Sequence, residues 1–99
     1  VEVMPEFIGG TAALMKYLSS NIKYPTISQE TGSQGKVIVQ FVVDKDGTIS
    51  NPEVVRGVDP YLDKEAIRVI SSMPKWTPGV QNGKKVRVKY TVPVSFRLQ

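Results

Sequence analysis

Residues 85–98 alternate between apolar and polar side chains without interruption. A period of two is typical of a β-strand that buries one face and exposes the other, and this is the strongest strand signal in the chain. The buried side is predicted to hold Val86, Val88, Tyr90, Val92, Val94, Phe96 and Leu98, and the exposed side Lys85, Arg87, Lys89, Thr91, Pro93, Ser95 and Arg97.

Two further strands are predicted, at residues 35–44 and 48–56, and they form a hairpin. The turn between them ends at Gly47, which can adopt the positive φ that such turns require. In the second strand the alternation slips near Pro52, which predicts a bulge or an edge position. The first strand is expected to bury one complete face, formed by Val37, Val39, Phe41 and Val43.

Two helices are predicted from apolar residues at helical spacing. The first begins at Thr11, whose hydroxyl can cap it, and ends before Pro25. The second opens with Asp59 as the cap and Pro60 in the first position, and Pro74 stops it. The apolar stripes are Leu14, Met15, Leu18 and Ile22 in the first helix, and Leu62, Ala66, Val69, Ile70 and Met73 in the second.

The resulting order is α-β-β-α-β, preceded by an extended lead-in at residues 1–9. Residues 26–34 are predicted to be a loop, and residues 74–84 a long turn-rich connection. A helical crossover delivers the third strand antiparallel to the first one. We therefore expect an α+β fold with two helices packed on one face of a three-stranded antiparallel sheet of order 2-1-3. The third strand lies at the edge, and residues 1–99 form one domain.

The composition argues against an enzyme. The chain has no histidine and no cysteine, so proton transfer by imidazole, thiol nucleophiles and ordinary zinc sites are excluded. The turn at residues 44–47 has acidic residues, but its glycine comes too early for a calcium loop. We expect no catalytic residue, no metal and no cofactor.

The positive charge of the chain is concentrated in its last strand. Residues 84–97 contain five basic side chains and no acidic one, which exceeds the net charge of +4 of the whole chain. Such a face can be a solvated edge that resists aggregation, a strand that binds an extended peptide, or a nucleic-acid surface. Tyr90 and Phe96 share the buried side of the strand, which weighs against nucleic acid.

Trp76 is expected to fill the core beneath a loop.

The order and spacing of several short stretches resemble one family. They are Pro5-Glu6-Phe7 with Gly9-Gly10, Tyr24-Pro25, Gly35-Lys36-Val37 leading into Phe41-Val42-Val43-Asp44, Asp46-Gly47, Leu62-Asp63 with Glu65-Ala66, Met73-Pro74-Lys75-Trp76 with Pro78-Gly79, and Pro93-Val94 with Phe96. In this pattern the chain resembles the C-terminal domain of TonB-family energy transducers, in the form common in Bacteroidetes-type bacteria.

The resemblance implies a periplasmic domain whose full-length protein is anchored in the inner membrane. The chain begins at Val1, so we expect it to be a fragment whose missing N-terminal part reaches an inner-membrane proton-driven motor complex. The implied partner is the N-terminal peptide of an outer-membrane TonB-dependent transporter, which adds as a strand, and a homodimer is a further expectation. The implied partner-binding residues are Tyr24, Pro25, Lys85, Val86, Arg87, Val88, Lys89, Tyr90, Thr91 and Val92.

Two other functions stay open at this point. One is a sensor or assembly domain with the same fold and no transporter. The other is a basic nucleic-acid-binding α+β module, although the expectation for this chain is that nucleic acid is not a partner.

Overall fold

The computed structural model describes residues 1–98, and Gln99 lies outside them. These residues form helices α1 (Gly10–Asn21), α2 (Thr26–Glu30) and α3 (Pro60–Ser71). The strands are β1 (Gly35–Val43), β2 (Ile49–Arg56), β3 (Gly79–Gln81), β4 (Lys84–Val86) and β5 (Val88–Phe96). The main sheet has the order β2-β1-β5 and is antiparallel, which confirms the predicted fold class and strand order.

The core lies between this sheet and the helices. The inward side chains of β1 are at most 1% exposed, as the alternation predicted. Leu14 and Leu18 of α1 and the apolar stripe of α3 pack against them. Trp76 fills the core as expected, with its ring 5.3 Å from that of Phe41. Burial of this apolar surface from water is the main force that holds the layers together.

The first helix departs from the prediction at its start. Gly9, not Thr11, is the N-cap, with φ of 92° and no side-chain cap hydrogen bond. Thr11 lies inside the first turn. Met15, which was assigned to the buried stripe, is 41% exposed. The stripe predicted from spacing is therefore wider than the surface that α1 buries.

The predicted loop at residues 26–34 contains α2, so that assignment was wrong. Five residues are too few for an isolated helix to be stable in water, and tertiary contacts hold this one. Ser28 is fully buried and donates a hydrogen bond of 2.9 Å to the Asp59 Oδ2. The other oxygen of Asp59 accepts from the Leu62 N–H at 2.7 Å, which confirms Asp59 as the cap of α3. One carboxylate thus joins both helices.

The predicted third strand is divided at Arg87 into two strands with different partners. β5 pairs with β1 along its whole length, from Val88 opposite Val43 to Phe96 opposite Gly35. β4 pairs instead with β3, in a hairpin at the end of the supposed connection 74–84. The extended lead-in runs beside β3 and forms main-chain bridges between Val3 and Val80 and between Glu6 and Thr77.

The predicted irregularity in β2 is confirmed. Between Gln40 and Val42 of β1 the register slips, because three steps along β2 oppose two along β1. Asn51 takes a φ of 50° at this bulge, next to Pro52. A second register shift follows between Ile38 and Val39. β2 is therefore an edge strand whose regular ladder is interrupted twice.

Candidate peptide-binding edge

The outer side of β5 carries main-chain groups that pair with no strand described in residues 1–98. The Asp44 N–H donates to the Thr48 carbonyl, so the even-numbered positions of β1 face β2 and the odd-numbered ones face β5. The register of β1 and β5 then turns the even-numbered residues of β5 toward β1. Lys89 and Thr91 consequently present their N–H and C=O groups to the open side, and Pro93, which has no N–H, presents a carbonyl alone.

β4 continues this open side. Val80 exchanges two hydrogen bonds with Val3, of 3.0 and 2.9 Å, and so turns away from β4. Lys85 is the partner of Val80 in the ladder, and its main-chain groups therefore face away from β3. Lys85, Lys89 and Thr91 supply a row of free donors and acceptors. This row continues to Pro93 and Ser95, which have the same parity in the ladder with β1, and we call the whole row the open edge.

Along residues 85–92, exposed side chains alternate with buried or half-buried ones. Lys85, Arg87, Lys89 and Thr91 are exposed, whereas Val92 is buried. Val86, Val88 and Tyr90 are half-buried. The ring of Tyr90 lies 5.0 Å from that of Trp76, so Tyr90 belongs to the edge of the core. A peptide on the open edge would meet the exposed side chains directly and the others through the backbone.

The basic side chains differ in how free they are. The Arg87 Nε lies 2.9 Å from the Asp44 Oδ1, in an ion pair with the β1–β2 turn. Among residues 1–98, Lys85 and Lys89 form no ion pair. These two lysines, rather than Arg87, are the cations available to a bound acidic side chain.

Tyr24 and Pro25 lie at the other end of the sheet. The Tyr24 ring packs edge-on against Phe96, with centroids 5.6 Å apart, and its hydroxyl donates to the Ser33 carbonyl. Burial raises the pKa of the Tyr24 hydroxyl, and the charge of Asp59 raises it further. Pro25 is the N-cap of α2. From Val92 to Phe96 a strand spans about 13 Å, so the structure does not bring this pair together with residues 85–92.

A feature that the sequence reasoning missed is the groove between α1 and the open edge. Met15 and Ile22 line it on the helix side, and Pro93 and Ser95 on the strand side. The signal available in the sequence was the apolar stripe of the first helix. Helical spacing predicts that the whole stripe is core, whereas Met15 at its margin is exposed and lines the groove.

The other edge of the sheet is less suited to strand pairing. The bulge at Asn51 and Pro52 interrupts the ladder of β2, and bulges and prolines are the usual means of blocking an edge. β5 has no such register shift along its ladder with β1. Of these two edges, the open edge is the one whose strand keeps a regular ladder with β1.

Neither a metal site nor a membrane span is found within residues 1–98. No group of acidic side chains in this part of the chain is arranged to hold a metal ion. No helix described there has the length and apolar character needed to cross a bilayer.

Comparison with known proteins places this geometry in a family. Residues 20–98 match the family described as Gram-negative bacterial TonB protein C-terminal. The protein TonB of Haemophilus influenzae is 32% identical over 85 residues, which are 82% of this chain and 32% of that protein. The protein TonB of Helicobacter pylori is 26% identical over 83 residues, 83% of this chain and 28% of that protein. The chain thus spans about a third of the length of these relatives.

Solved structures show the same fold. A solution structure of the Helicobacter pylori TonB C-terminal domain superimposes with a TM-score of 0.66 at 24% identity, over 87% of this chain and 90% of that one. A longer form of that domain gives 0.57 at 25% identity, over 85% and 78%. Because the family match covers most of the chain, including β5 and its open edge, the chain belongs to the family of TonB protein C-terminal domains.

Proposed function

We propose that this chain is the periplasmic domain of a TonB-like energy transducer. In this role it binds the N-terminal peptide of an outer-membrane TonB-dependent transporter, by strand addition at the open edge. It transmits force for nutrient uptake from an inner-membrane proton-driven motor complex, which it reaches through an N-terminal membrane anchor. Family membership supports the transducer role, and the domain is proposed to act by binding rather than catalysis.

The observation that carries the proposal is the direction of the free main-chain groups. An extended peptide that pairs with β5 would receive hydrogen bonds from the Lys89 and Thr91 N–H groups and donate to their carbonyls. Each such bond contributes about 0.5–1.5 kcal/mol net, so several are needed for useful affinity. The bonds involve the backbone alone, which allows one domain to accept peptides of differing sequence.

Charge would select among such peptides. Lys85 and Lys89 are exposed and carry no carboxylate partner within the described residues, so they would attract acidic side chains on the outer side of an added strand. Exposed pairs of this kind contribute about 1 kcal/mol or less and weaken with salt. They would mainly steer the peptide to the correct edge.

The test is a titration of the isotope-labelled chain with a synthetic acidic peptide, followed amide by amide by NMR. We expect shifts in residues 85–92, largest at Lys85, Lys89 and Thr91, because their N–H groups face the peptide. A control peptide of the same length, with alternate residues replaced by proline, should give little change. Shifts confined to the helices, with residues 85–92 silent, would show that the peptide binds elsewhere.

A second copy of the chain is the competing occupant of the same edge. Two copies of β5 could pair about a twofold axis and form a homodimer, which would cover the main-chain groups that the peptide needs. Added peptide should then dissociate the dimer. Sedimentation at increasing peptide concentration would reveal this competition.

A further inference from the structure

α1 lies beside the open edge and leaves a groove along it. The groove has a volume of about 70 Å³, several times the roughly 10–15 Å³ that a cavity needs to hold one water. Pro93 and Ser95 point their side chains to the outer face of the sheet, whereas Val94 is buried on the inner face. A groove that touches all three must run along the open side of the strand.

The main-chain ladder weakens at this groove. Pro93 has no N–H, so a strand paired with β5 loses one donor at that position and regains the next one only at Ser95. Affinity along this stretch must come from side-chain contacts. α1 supplies apolar surface at the same place, through Met15 and Ile22.

Met15 is suited to such a contact. It is 41% exposed, although it lies within the apolar stripe of α1. Its unbranched thioether side chain adapts to differently shaped neighbours. Ile22, one residue past the end of α1, is half-buried and lines the same groove about two turns further along. An aliphatic side chain placed in the groove between them would be partly removed from water.

We propose that α1 and the open edge together form a pocket for aliphatic side chains of the bound peptide. Successive side chains of a strand point to opposite faces, so every second residue of an added strand would point toward α1. The residues between them would point outward, toward the side of Lys89. The preferred ligand is therefore an extended segment that alternates aliphatic and acidic residues. This inference rests on the proposed strand addition.

The test compares two synthetic peptides, one of alternating Glu and Leu residues and one in which every Leu is replaced by Ser. Because the pattern repeats every two residues, all registers that differ by two residues place Leu toward α1, and the peptide can bind in any of them. The wild-type chain should bind the Leu peptide about tenfold more tightly than the Ser peptide. Burial of apolar surface equal to about two methylene groups is enough for a tenfold difference in affinity.

Met15→Ser should reduce this preference severalfold and leave the affinity for the Ser peptide unchanged. The matched control is Val55→Ser, which removes an apolar side chain that is 51% exposed on β2, at the opposite edge of the sheet. It should leave the preference intact. Both positions are exposed, so neither change is expected to unfold the domain.

The outcomes separate the pocket from strand addition. Equal affinity of the wild-type chain for both peptides, with amide shifts at residues 85–92, would overturn the pocket and leave strand addition standing. The same holds if Met15→Ser weakens both peptides equally. No shift at residues 85–92 with either peptide would overturn both proposals.

Discussion

Gly47 is constrained both by the backbone conformation of its turn and by its close contact with Trp76 in the core. Its φ is 89°, and its carbonyl accepts a hydrogen bond of 2.9 Å from the Trp76 N–H. A Cβ at this position would lie 2.0 Å from the Trp76 carbonyl oxygen. Both the backbone conformation and the available space therefore require glycine here.

Gly47→Ala should lower the free energy of unfolding by about 2–4 kcal/mol, through backbone strain and the displacement of Trp76. Gly83→Ala is the matched control. Gly83 also has a positive φ, of 72°, but a Cβ added there would have no neighbour within 4 Å. Gly83→Ala should lower the free energy of unfolding by about 1–2 kcal/mol. Urea unfolding measures both, and equal losses would mean that the contact with Trp76 does not matter.

Glu65 is the charged side chain most deeply placed in the packing of residues 1–98. It accepts hydrogen bonds from the Arg68 Nε at 2.7 Å and from the Lys23 N–H at 2.6 Å. Burial by itself would raise the pKa of Glu65, but the hydrogen bonds from Arg68 and Lys23 together outweigh it and hold the pKa below its usual value. The ionised form is therefore the one that stabilises the fold.

The lowered pKa of Glu65 predicts how the stability of the fold depends on pH. A carboxyl whose pKa is lowered by folding contributes stability above its unfolded pKa, about 4.3 for Glu, and loses it as the pH falls through the folded value. Glu65→Gln should therefore lower stability at pH 7 and flatten its decline below about pH 4.5. Unfolding measured at pH 7 and at about pH 3 tests this, and an unchanged decline in the variant would assign the effect to other carboxylates.

At the scale of elements, the predictable parts were those specified by local pattern. The alternation of β1 and β5 and the Asp59-Pro60 start of α3 follow from residues close in sequence. α2 was not predictable in this way, because its stability comes from Ser28 and Asp59, which are distant along the chain. The β3–β4 hairpin did leave a signal. Asn82-Gly83, with φ of 52° and 72°, is the pair most typical of a two-residue hairpin turn.

The candidate site was predictable only in part. Alternation and charge indicated a basic strand over residues 85–98, and the resemblance to the family implied residues 85–92 as the binding site. The division at Arg87 depends on which strand each half pairs with. The distance of Tyr24 from these residues, and the groove beside Met15, depend on how α1 packs on the sheet. Spacing along one helix cannot show which margin of its apolar stripe stays exposed.

Thr91→Pro should weaken peptide binding by roughly tenfold, because it removes a donor that faces the open edge. It should cost little stability, since that N–H does not face β1, and Pro93 is already tolerated two residues further on. Thr91→Ala removes the side chain but keeps the N–H, so it should bind almost normally. Calorimetric titration of both variants checks this, and equal weakening by both would indicate a side-chain effect.

At the scale of the whole molecule, the charge is unevenly distributed. The excess of basic over acidic residues lies in residues 84–97, while the remainder of the chain is close to neutral. Such a strip gives steering and weak nonspecific attraction to polyanions, without determining the fold.

Binding to nucleic acid should accordingly be weak and electrostatic. The strip can neutralise about three or four phosphates, so the affinity should fall steeply as salt increases. Fluorescence anisotropy with labelled DNA at two salt concentrations measures this dependence. Binding that persists at roughly 200 mM salt, or that prefers one sequence, would point instead to a nucleic-acid-binding module.

The two edges of the main sheet differ in regularity, and this difference limits how copies of the chain can assemble by strand pairing. A chain with two open edges can recruit copies without limit and grow into a fibre, as stacked sheets do. Here bulges at Asn51 and Val55 interrupt the β2 edge, so two copies that pair through β5 present only these interrupted edges for further growth. Assembly of copies by strand pairing would therefore terminate at a dimer.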